Sequence, residues 1–221
     1  MNEQYKFIFD MDGTLYEFDD NSEGKFAKSL FYKDLYKNVL IYFQNNFKLT
    51  RSQATEEFER IDKKYSGEIS MGLVNEYNID RLDYFNQTWD LNPEIYIKKN
   101  AELPKILSRF RHCVLLTAAP KIWADKVLSH LEINLFFERM YTGETDIRKP
   151  NPMVFKQIEN YLRISPSNIF SIGDQEYSDI LPAKSLGMKT IRIGRDVTSK
   201  ADYQVSNISE VINLLRDKNY L

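Results

Sequence analysis

The chain has 221 residues, of which 43% are hydrophobic and 28% are charged, and its formal net charge is -2. This balance is typical of a folded globular protein, and it gives no reason to expect a nucleic acid polymer or an anionic membrane as partner. The single cysteine, Cys113, excludes a disulfide framework within one chain, and no run of about eighteen apolar residues indicates a membrane-spanning segment. We therefore expect a cytoplasmic protein.

Short apolar runs alternate with helical patterns through the later part of the chain. In chain order the runs are Tyr5–Phe9, Cys113–Thr117, the weaker Arg139–Thr142, Ile169–Ile172 and Thr190–Ile193. Because they are brief, partly β-branched or aromatic, and bounded by polar or glycine residues, they are typical of buried strands. Helical patterns lie between them, and one has on a single face Ile122, Trp123, Val127, Leu128 and Leu131. The alternation predicts an α/β fold with a Rossmann-like, doubly wound parallel sheet.

Residues 16–98 interrupt this alternation. They contain no convincing strand, but apolar residues recur there at helical spacing. Thr50 is a candidate helix cap, and Gly67 and Gly72 are candidate breaks between helices. We therefore predict a Rossmann-like core made of residues 1–15 and 99–221, with an inserted helical domain over residues 16–98.

Polar residues follow the predicted strands at the point where each strand ends. They are Asp10, Asp12, Thr117, Lys149, Asp174 and Asp179. In a parallel sheet, ligands bind beyond the carboxyl ends of the strands, so these side chains are expected to meet at one edge. Four carboxylates and one lysine cannot share a small cavity without further positive charge, because like charges repel and unpaired charges are costly to desolvate.

An all-oxygen ligand set favours a hard cation, and we predict Mg²⁺. A carboxylate can act as a nucleophile toward phosphorus when a metal, a lysine and backbone amides neutralise the charge on the transferring group. Gly13 permits close approach of the backbone at this edge.

In these residues the chain resembles the haloacid-dehalogenase-like superfamily, in its phosphatase branch. The four motifs of that family occur in order, as Asp10-Met11-Asp12-Gly13-Thr14, Leu116-Thr117-Ala118, Lys149-Pro150-Asn151-Pro152 and Gly173-Asp174 through Asp179. The ordered set, each member at the end of its own strand, spans nearly the whole chain. Tyr16 and the position of the insertion resemble most closely the pyrimidine-nucleotidase-type and small sugar-phosphate members.

The resemblance implies the chemical role of each carboxylate at the reacting centre. Asp10 attacks the phosphoryl group to give an aspartyl phosphate, and Asp12 protonates the leaving oxygen and later activates water. Asp174 binds Mg²⁺ together with Asp10 and the backbone carbonyl of Asp12, and Asp179 supports that shell.

The resemblance also implies which groups hold the phosphate. Lys149 neutralises the nucleophile and the transferring phosphoryl group, and Gly13, Thr117 and Ala118 contribute to phosphate binding. The inserted helical domain corresponds to the family's cap, which closes over the site and selects the leaving group.

These features predict the hydrolysis of a small phosphorylated metabolite, with nucleoside monophosphates, sugar phosphates and phosphoglycolate as candidates. Dehalogenases of the family lack an acid two residues after the nucleophile, so Asp12 favours phosphate chemistry. Two alternatives stay open: a phosphosugar mutase of the β-phosphoglucomutase type, and a binding or regulatory module without turnover. The sequence leaves open whether the protein is a monomer or a homodimer.

Other residues with chemical potential are better explained by packing. His112 and His130 have no second ligand at metal-binding spacing, and Cys113 is interpreted as a small core residue. The aromatic residues of the insertion, including Tyr77 and Trp89, could stack on a nucleobase, but aromatic residues at helical spacing usually belong to a core.

Overall fold

The computed structural model describes residues 5–18, 26–194 and 198–221. The chain divides into two compact units, Met1–Glu17 with Ile97–Leu221, which we call the core unit, and Phe18–Tyr96, which we call the helical unit. The strands are β1 (Lys6–Phe9), β2 (Cys113–Leu116), β3 (Phe137–Tyr141), β4 (Ile169–Gly173), β5 (Lys189–Ile193) and β6 (Tyr203–Val205). The α-helices are α1 (Leu30–Phe47), α2 (Arg51–Lys64), α3 (Ile69–Tyr77), α4 (Arg81–Thr88), α5 (Leu103–Leu107), α6 (Lys121–His130), α7 (Pro152–Leu162), α8 (Leu181–Ser185) and α9 (Ile208–Asp217).

The strands of the core unit form one sheet in the order β3-β2-β1-β4-β5-β6, and every neighbouring pair is parallel. This is the order of a doubly wound fold, and it confirms the predicted α/β class. The order reverses at β1, which pairs with β2 on one side and with β4 on the other. A crevice for a ligand is expected beyond the carboxyl end of β1, where the connections diverge to opposite faces of the sheet.

The central strands are buried on both faces, which explains their continuous apolar sequences. All residues of β2 and of β4 are buried. On one face Ile8 belongs to a buried cluster with Val114 and with Phe155 of α7. On the other face Phe7 packs edge-on against Phe110, with ring centroids 4.9 Å apart. Successive residues of β1 therefore pack into opposite layers of the core.

Two strands differ from the sequence-based expectation. Strand β3 starts at Phe137, two residues before the predicted run, and its residues are half-buried or exposed because it lies at one edge of the sheet. Strand β6 was not predicted from the sequence. It is three residues long, and only Val205 is buried, so its apolar pattern is too short to recognise.

The helical unit contains α1 to α4. Thr50 caps α2 as predicted, in a reciprocal pair of hydrogen bonds with Gln53. Gly67 follows the end of α2 with a φ of 88°, so it is a break between helices. The prediction for Gly72 was wrong, because this residue lies inside α3.

Several aromatic side chains of the insertion pack within the helical unit. The indole of Trp89 lies 5.7 Å from the ring of Phe31. Tyr77 stacks on Phe47, with centroids 4.2 Å apart. These contacts favour a packing role over nucleobase recognition for both residues. Among the helices that the structure describes, none has the length and apolar character needed to cross a membrane.

Candidate active site

The carboxyl end of β1 places Asp10 at the reversal point of the sheet. Its backbone N–H donates to the carbonyl of Ile172 on β4, at 2.9 Å, so the residue continues the strand ladder. The residue is 7% exposed. Oδ2 accepts a hydrogen bond of 2.9 Å from the hydroxyl of Thr14, and Oδ1 faces Lys149. One oxygen is therefore held by the loop that follows β1, and the other is held by the ammonium group of Lys149.

Lys149 lies in the connection between β3 and α7 and is 5% exposed. Its Nζ donates to Oδ1 of Asp10 at 2.6 Å and also forms an ion pair with Oδ1 of Asp179. Burial by itself lowers the pKa of Lys149, but the charges of Asp10 and Asp179 outweigh it and raise the pKa above its usual value. The ammonium group therefore stays charged and bridges two carboxylates.

Asp174 and Asp179 both follow β4. Asp174 comes directly after Gly173, and Asp179 lies in a π-helical turn, Glu176–Ile180, where its Oδ2 accepts from the backbone N–H of Gln175 at 2.9 Å. Oxygen atoms of Asp10, Asp174 and Asp179 all lie within 4.8 Å of one another. The structure thus brings three of the predicted acids into one group.

This group carries more negative charge than Lys149 can balance. Burial, followed by the charges of Asp10 and Asp179, raises the pKa of Asp174 to about 8. Burial also raises the pKa of Asp179 to about 6, although Lys149 opposes that change. Oδ1 of Asp174 is buried and has no hydrogen-bond partner among the residues that the structure describes. A crowded set of carboxylate oxygens with one unpaired member fits a hard divalent cation such as Mg²⁺.

The carboxylate of Asp12 is not a member of that group and has a different set of partners. Its Oδ1 accepts from the hydroxyl of Tyr16 and from the indole N–H of Trp123, the latter at 3.2 Å. Its Oδ2 faces the hydroxyl of Thr117 at 3.4 Å. Burial raises the pKa of Asp12 above its ordinary value, and the hydrogen bond from Tyr16 only partly offsets the effect. Asp12 and the acidic group are therefore chemically distinct, although Asp10 and Asp12 are separated by one residue.

The loop after β2 supplies Thr117 and Ala118. Thr117 is fully buried, and its hydroxyl accepts a hydrogen bond of 3.0 Å from the backbone N–H of Ala119. Ala118 is exposed. A β-carbon on Gly143 would lie 1.8 Å from the carbonyl oxygen of Ala118, so a glycine is needed for the loop after β3 to pass so close. Gly13 has a φ of 80° and lies beside the carboxylate of Asp174.

The sequence did not predict some of the contacts that hold these acids. Trp123 was interpreted as one residue of an apolar helix face, and it is indeed buried, but its N–H points to Asp12. Thr14 was read only as part of a motif, yet it donates to Asp10. Arg192 donates from Nε to the backbone carbonyl of Asp174 at 3.1 Å. The available signal for Trp123 was its place three residues after Pro120, early in the helix that follows the second motif.

The chain is similar to known proteins in its sequence and in its fold. A glyceraldehyde 3-phosphate phosphatase of Pyrococcus furiosus is 30% identical over 108 residues, which cover 45% of this chain and 44% of the relative. The chain thus matches about half the length of that curated relative. The structure of a HAD phosphatase from Thermococcus onnurineus superposes with a TM-score of 0.68 at 21% identity, covering 96% of this chain and 97% of that one.

A 2-haloacid dehalogenase from Pseudomonas syringae shares the fold as well, with a TM-score of 0.63 at 15% identity, covering 97% of this chain and 99% of the other. Because phosphatases and dehalogenases share this architecture, the fold alone does not select the reaction. The family described as "Haloacid dehalogenase-like hydrolase" matches residues 7–193, which confirms the resemblance found in the motifs. The chain belongs to the haloacid dehalogenase-like hydrolase family.

Proposed function

We propose that the protein is a Mg²⁺-dependent phosphatase that hydrolyses a small phosphate monoester through an aspartyl phosphate on Asp10. The observation that carries this proposal is the separation of two kinds of carboxylate at one sheet edge. Asp10 is paired with Lys149 and lies in the acidic group, whereas Asp12 lies outside that group and is held by neutral donors. Two displacements at phosphorus need one fixed nucleophile and one separate acid–base group.

In the first displacement an oxygen of Asp10 forms a bond to phosphorus while the bond to the leaving oxygen breaks. Asp12 gives its proton to that leaving oxygen, so the alcohol departs neutral. In the second displacement a water oxygen attacks phosphorus, Asp12 takes one proton from that water, and the bond from Asp10 to phosphorus breaks. Inorganic phosphate is released, and both carboxylates return to their starting states.

The remaining residues handle charge and position. Lys149 neutralises Asp10 and the transferring group, and the loops of Gly13, Thr117 and Ala118 hold the phosphate oxygens. Mg²⁺ held by Asp10 and Asp174, with the backbone carbonyl of Asp12, would supply further positive charge to the phosphate oxygens. Asp179 holds Lys149 in place through their ion pair.

The presence of Asp12 supports phosphate transfer over dehalogenation. A halide ion leaves without a proton, so a dehalogenase has no use for an acid beside its nucleophile. The name of the Pyrococcus furiosus relative adds glyceraldehyde 3-phosphate to the candidate substrates, beside nucleoside monophosphates, other sugar phosphates and phosphoglycolate. We further propose that the predicted cap, residues 16–98, selects among them.

The test is phosphate release from this panel by the purified full chain with Mg²⁺. We expect Asp10→Asn to abolish release and to prevent labelling of the protein by substrate phosphate. Asp125→Asn is a matched control, because within the described ranges this exposed carboxylate pairs only with Lys121, on the surface of α6. Full activity of Asp10→Asn would contradict the proposal. Conversion of a hexose 1-phosphate mainly to its 6-phosphate, with little free phosphate, would establish a mutase instead.

A further inference from the structure

The orientation of Asp12 is set by two side chains from different parts of the core unit. Tyr16 comes from the turn that follows β1, and Trp123 comes from the first turn of α6. Both donate to the same oxygen, Oδ1 of Asp12. Trp123 is fully buried and Tyr16 is 8% exposed, so neither donor is free to rotate toward bulk water.

The turn after β1 is itself fixed by backbone hydrogen bonds, so the phenol is delivered to a defined place. The N–H of Gly13 donates to the carbonyl of Tyr16 at 3.0 Å, and the N–H of Leu15 donates to the carbonyl of Met11 at 2.9 Å. Asp12 and Tyr16 also form an isolated parallel bridge. The phenol of Tyr16 and the carboxylate of Asp12 are four residues apart in the chain, and the closed loop between them holds the two groups in contact.

The two oxygens of Asp12 are consequently not equivalent. A carboxylate oxygen offers two lone pairs in its plane, and on Oδ1 both are taken by the phenol and the indole. Among the residues that the structure describes, Oδ2 contacts only the hydroxyl of Thr117, at the long distance of 3.4 Å, and that hydroxyl belongs to the loop after β2. Oδ2 therefore keeps a lone pair available on the side of the proposed phosphate site.

We propose that Tyr16 and Trp123 are positioning residues, which hold Asp12 so that Oδ2, and not Oδ1, exchanges the proton with the leaving oxygen and with water. This inference rests on the proposed function, and it names Oδ2 as the atom of Asp12 that gives and accepts the proton. When the phosphorus–oxygen bond breaks, the proton on Oδ2 moves to the leaving oxygen. When water attacks, Oδ2 accepts one proton from that water. Oδ1 keeps both of its donors throughout, so the carboxylate does not rotate.

The test compares two substrates that differ in their need for a proton. p-Nitrophenyl phosphate has a leaving group that departs as a stable anion, whereas an alkyl phosphate such as glycerol phosphate needs protonation. For Tyr16→Phe and for Trp123→Phe we expect kcat/KM on the alkyl phosphate to fall roughly 10- to 100-fold, as for the loss of one hydrogen bond to a charged group. On p-nitrophenyl phosphate we expect kcat/KM to change less than about threefold, since kcat/KM reports the steps up to departure of the leaving group, and p-nitrophenolate departs without a proton.

The matched control is Tyr203→Phe, which also removes a phenol hydroxyl from the core unit but breaks a contact to Tyr220. It should leave the ratio between the two substrates unchanged. Equal losses on both substrates for Tyr16→Phe and Trp123→Phe would indicate a merely structural role and overturn the proposal, as would no loss on either. Two variants are used because one of them could fail to fold.

A second readout does not depend on turnover. The chain contains two tryptophans, so its indole N–H proton resonances in the metal-free protein can be assigned with Trp89→Phe and Trp123→Phe. We expect the Trp123 resonance to move upfield in Asp12→Ala, because the indole then loses its carboxylate acceptor. An unchanged resonance would overturn the proposal. If the wild type hydrolyses neither substrate but this resonance moves, the orientation of Asp12 stands and the proposed function fails.

Discussion

Gly13 and Asp174 lie so close that a β-carbon on Gly13 would be 2.7 Å from Oδ2 of Asp174. These residues come from the ends of two neighbouring strands, β1 and β4. The carboxylate can hold this position only because residue 13 has no side chain. The contact explains in physical terms why the loop after β1 contains a glycine at this place.

We expect Gly13→Ala to weaken Mg²⁺ binding and to lower kcat/KM, because the added methyl group displaces the carboxylate of Asp174. Isothermal titration with Mg²⁺ and a Mg²⁺ dependence of activity would measure both effects. Gly187→Ala is the matched control. Its φ is 81°, close to the 80° of Gly13, but a β-carbon there would meet nothing within 4 Å. Both variants should lose about 1–3 kcal/mol of stability through backbone strain. Equal Mg²⁺ affinity in the two variants would refute the steric explanation.

Removal of one charge from the acidic group should stabilise the metal-free protein while it weakens Mg²⁺ binding. The pKa of Asp174 is raised to about 8 from 3.8. The folded state then binds this proton more tightly than the unfolded state, so stability falls as pH rises from about 4 to about 8. Asp174→Asn removes that penalty. Its midpoint of thermal unfolding should exceed that of the wild type increasingly across this window, by about 2–4 °C for each kcal/mol relieved.

Thermal unfolding measured again with added Mg²⁺ distinguishes the loss of metal binding from the relief of repulsion between the carboxylates. The wild type should gain stability with the metal, whereas Asp174→Asn should gain little. The surface variant Asp125→Asn should follow the wild type within about 0.5 kcal/mol. A variant that is less stable than the wild type at pH 8 without metal would show that Asp174 is not under repulsion.

Gly72→Ala should destabilise the helical unit, although alanine usually favours a helix by about 1 kcal/mol over glycine. A β-carbon at this position would lie 2.4 Å from Cγ2 of Ile61, so α2 and α3 approach closely at this point. We expect a loss of about 1–3 kcal/mol, measured by denaturant unfolding. In an Ile61→Ala background the same change should cost less, because the clashing methyl group is gone. An identical cost in both backgrounds would contradict the role of this contact.

An ion cluster between α2 and α3 should make the helical unit sensitive to acid. Hydrogen bonds from Arg60 and then from Lys64 lower the pKa of Glu76 to about 2. A carboxylate whose pKa is lower in the folded state stabilises the fold at pH values above its pKa in the unfolded chain, about 4.3. That stabilisation is lost as the pH falls toward 2. Glu76→Gln should therefore be less stable than the wild type at pH 6, and the gap should narrow by pH 3. Glu56→Gln is the control, because in the described part of the chain this exposed carboxylate accepts a hydrogen bond from Ser52 and forms no ion pair. A gap independent of pH would contradict this account.

Local sequence patterns identified most of the sheet correctly. The apolar runs predicted β1, β2, β4 and β5 because a buried parallel strand is apolar on both faces, which is visible within about five residues. Strand β6 was not predicted, because only Val205 of its three residues is buried. Its place in the sheet depends on pairing with β5, which is a contact between segments and not a property of either segment.

The sequence by itself determined the fold class, the family and the acids at the strand ends, because these depend on short-range periodicity and on motifs within a few residues. Only the tertiary structure decided which of those acids lie together and which one has other partners. Asp10, Asp174 and Asp179 come together around one lysine, while Asp12 turns toward an indole 111 residues away. Orientations of this kind are set by packing between elements distant in the chain, since a hydrogen bond needs its partner within about 3 Å and no local pattern encodes that distance.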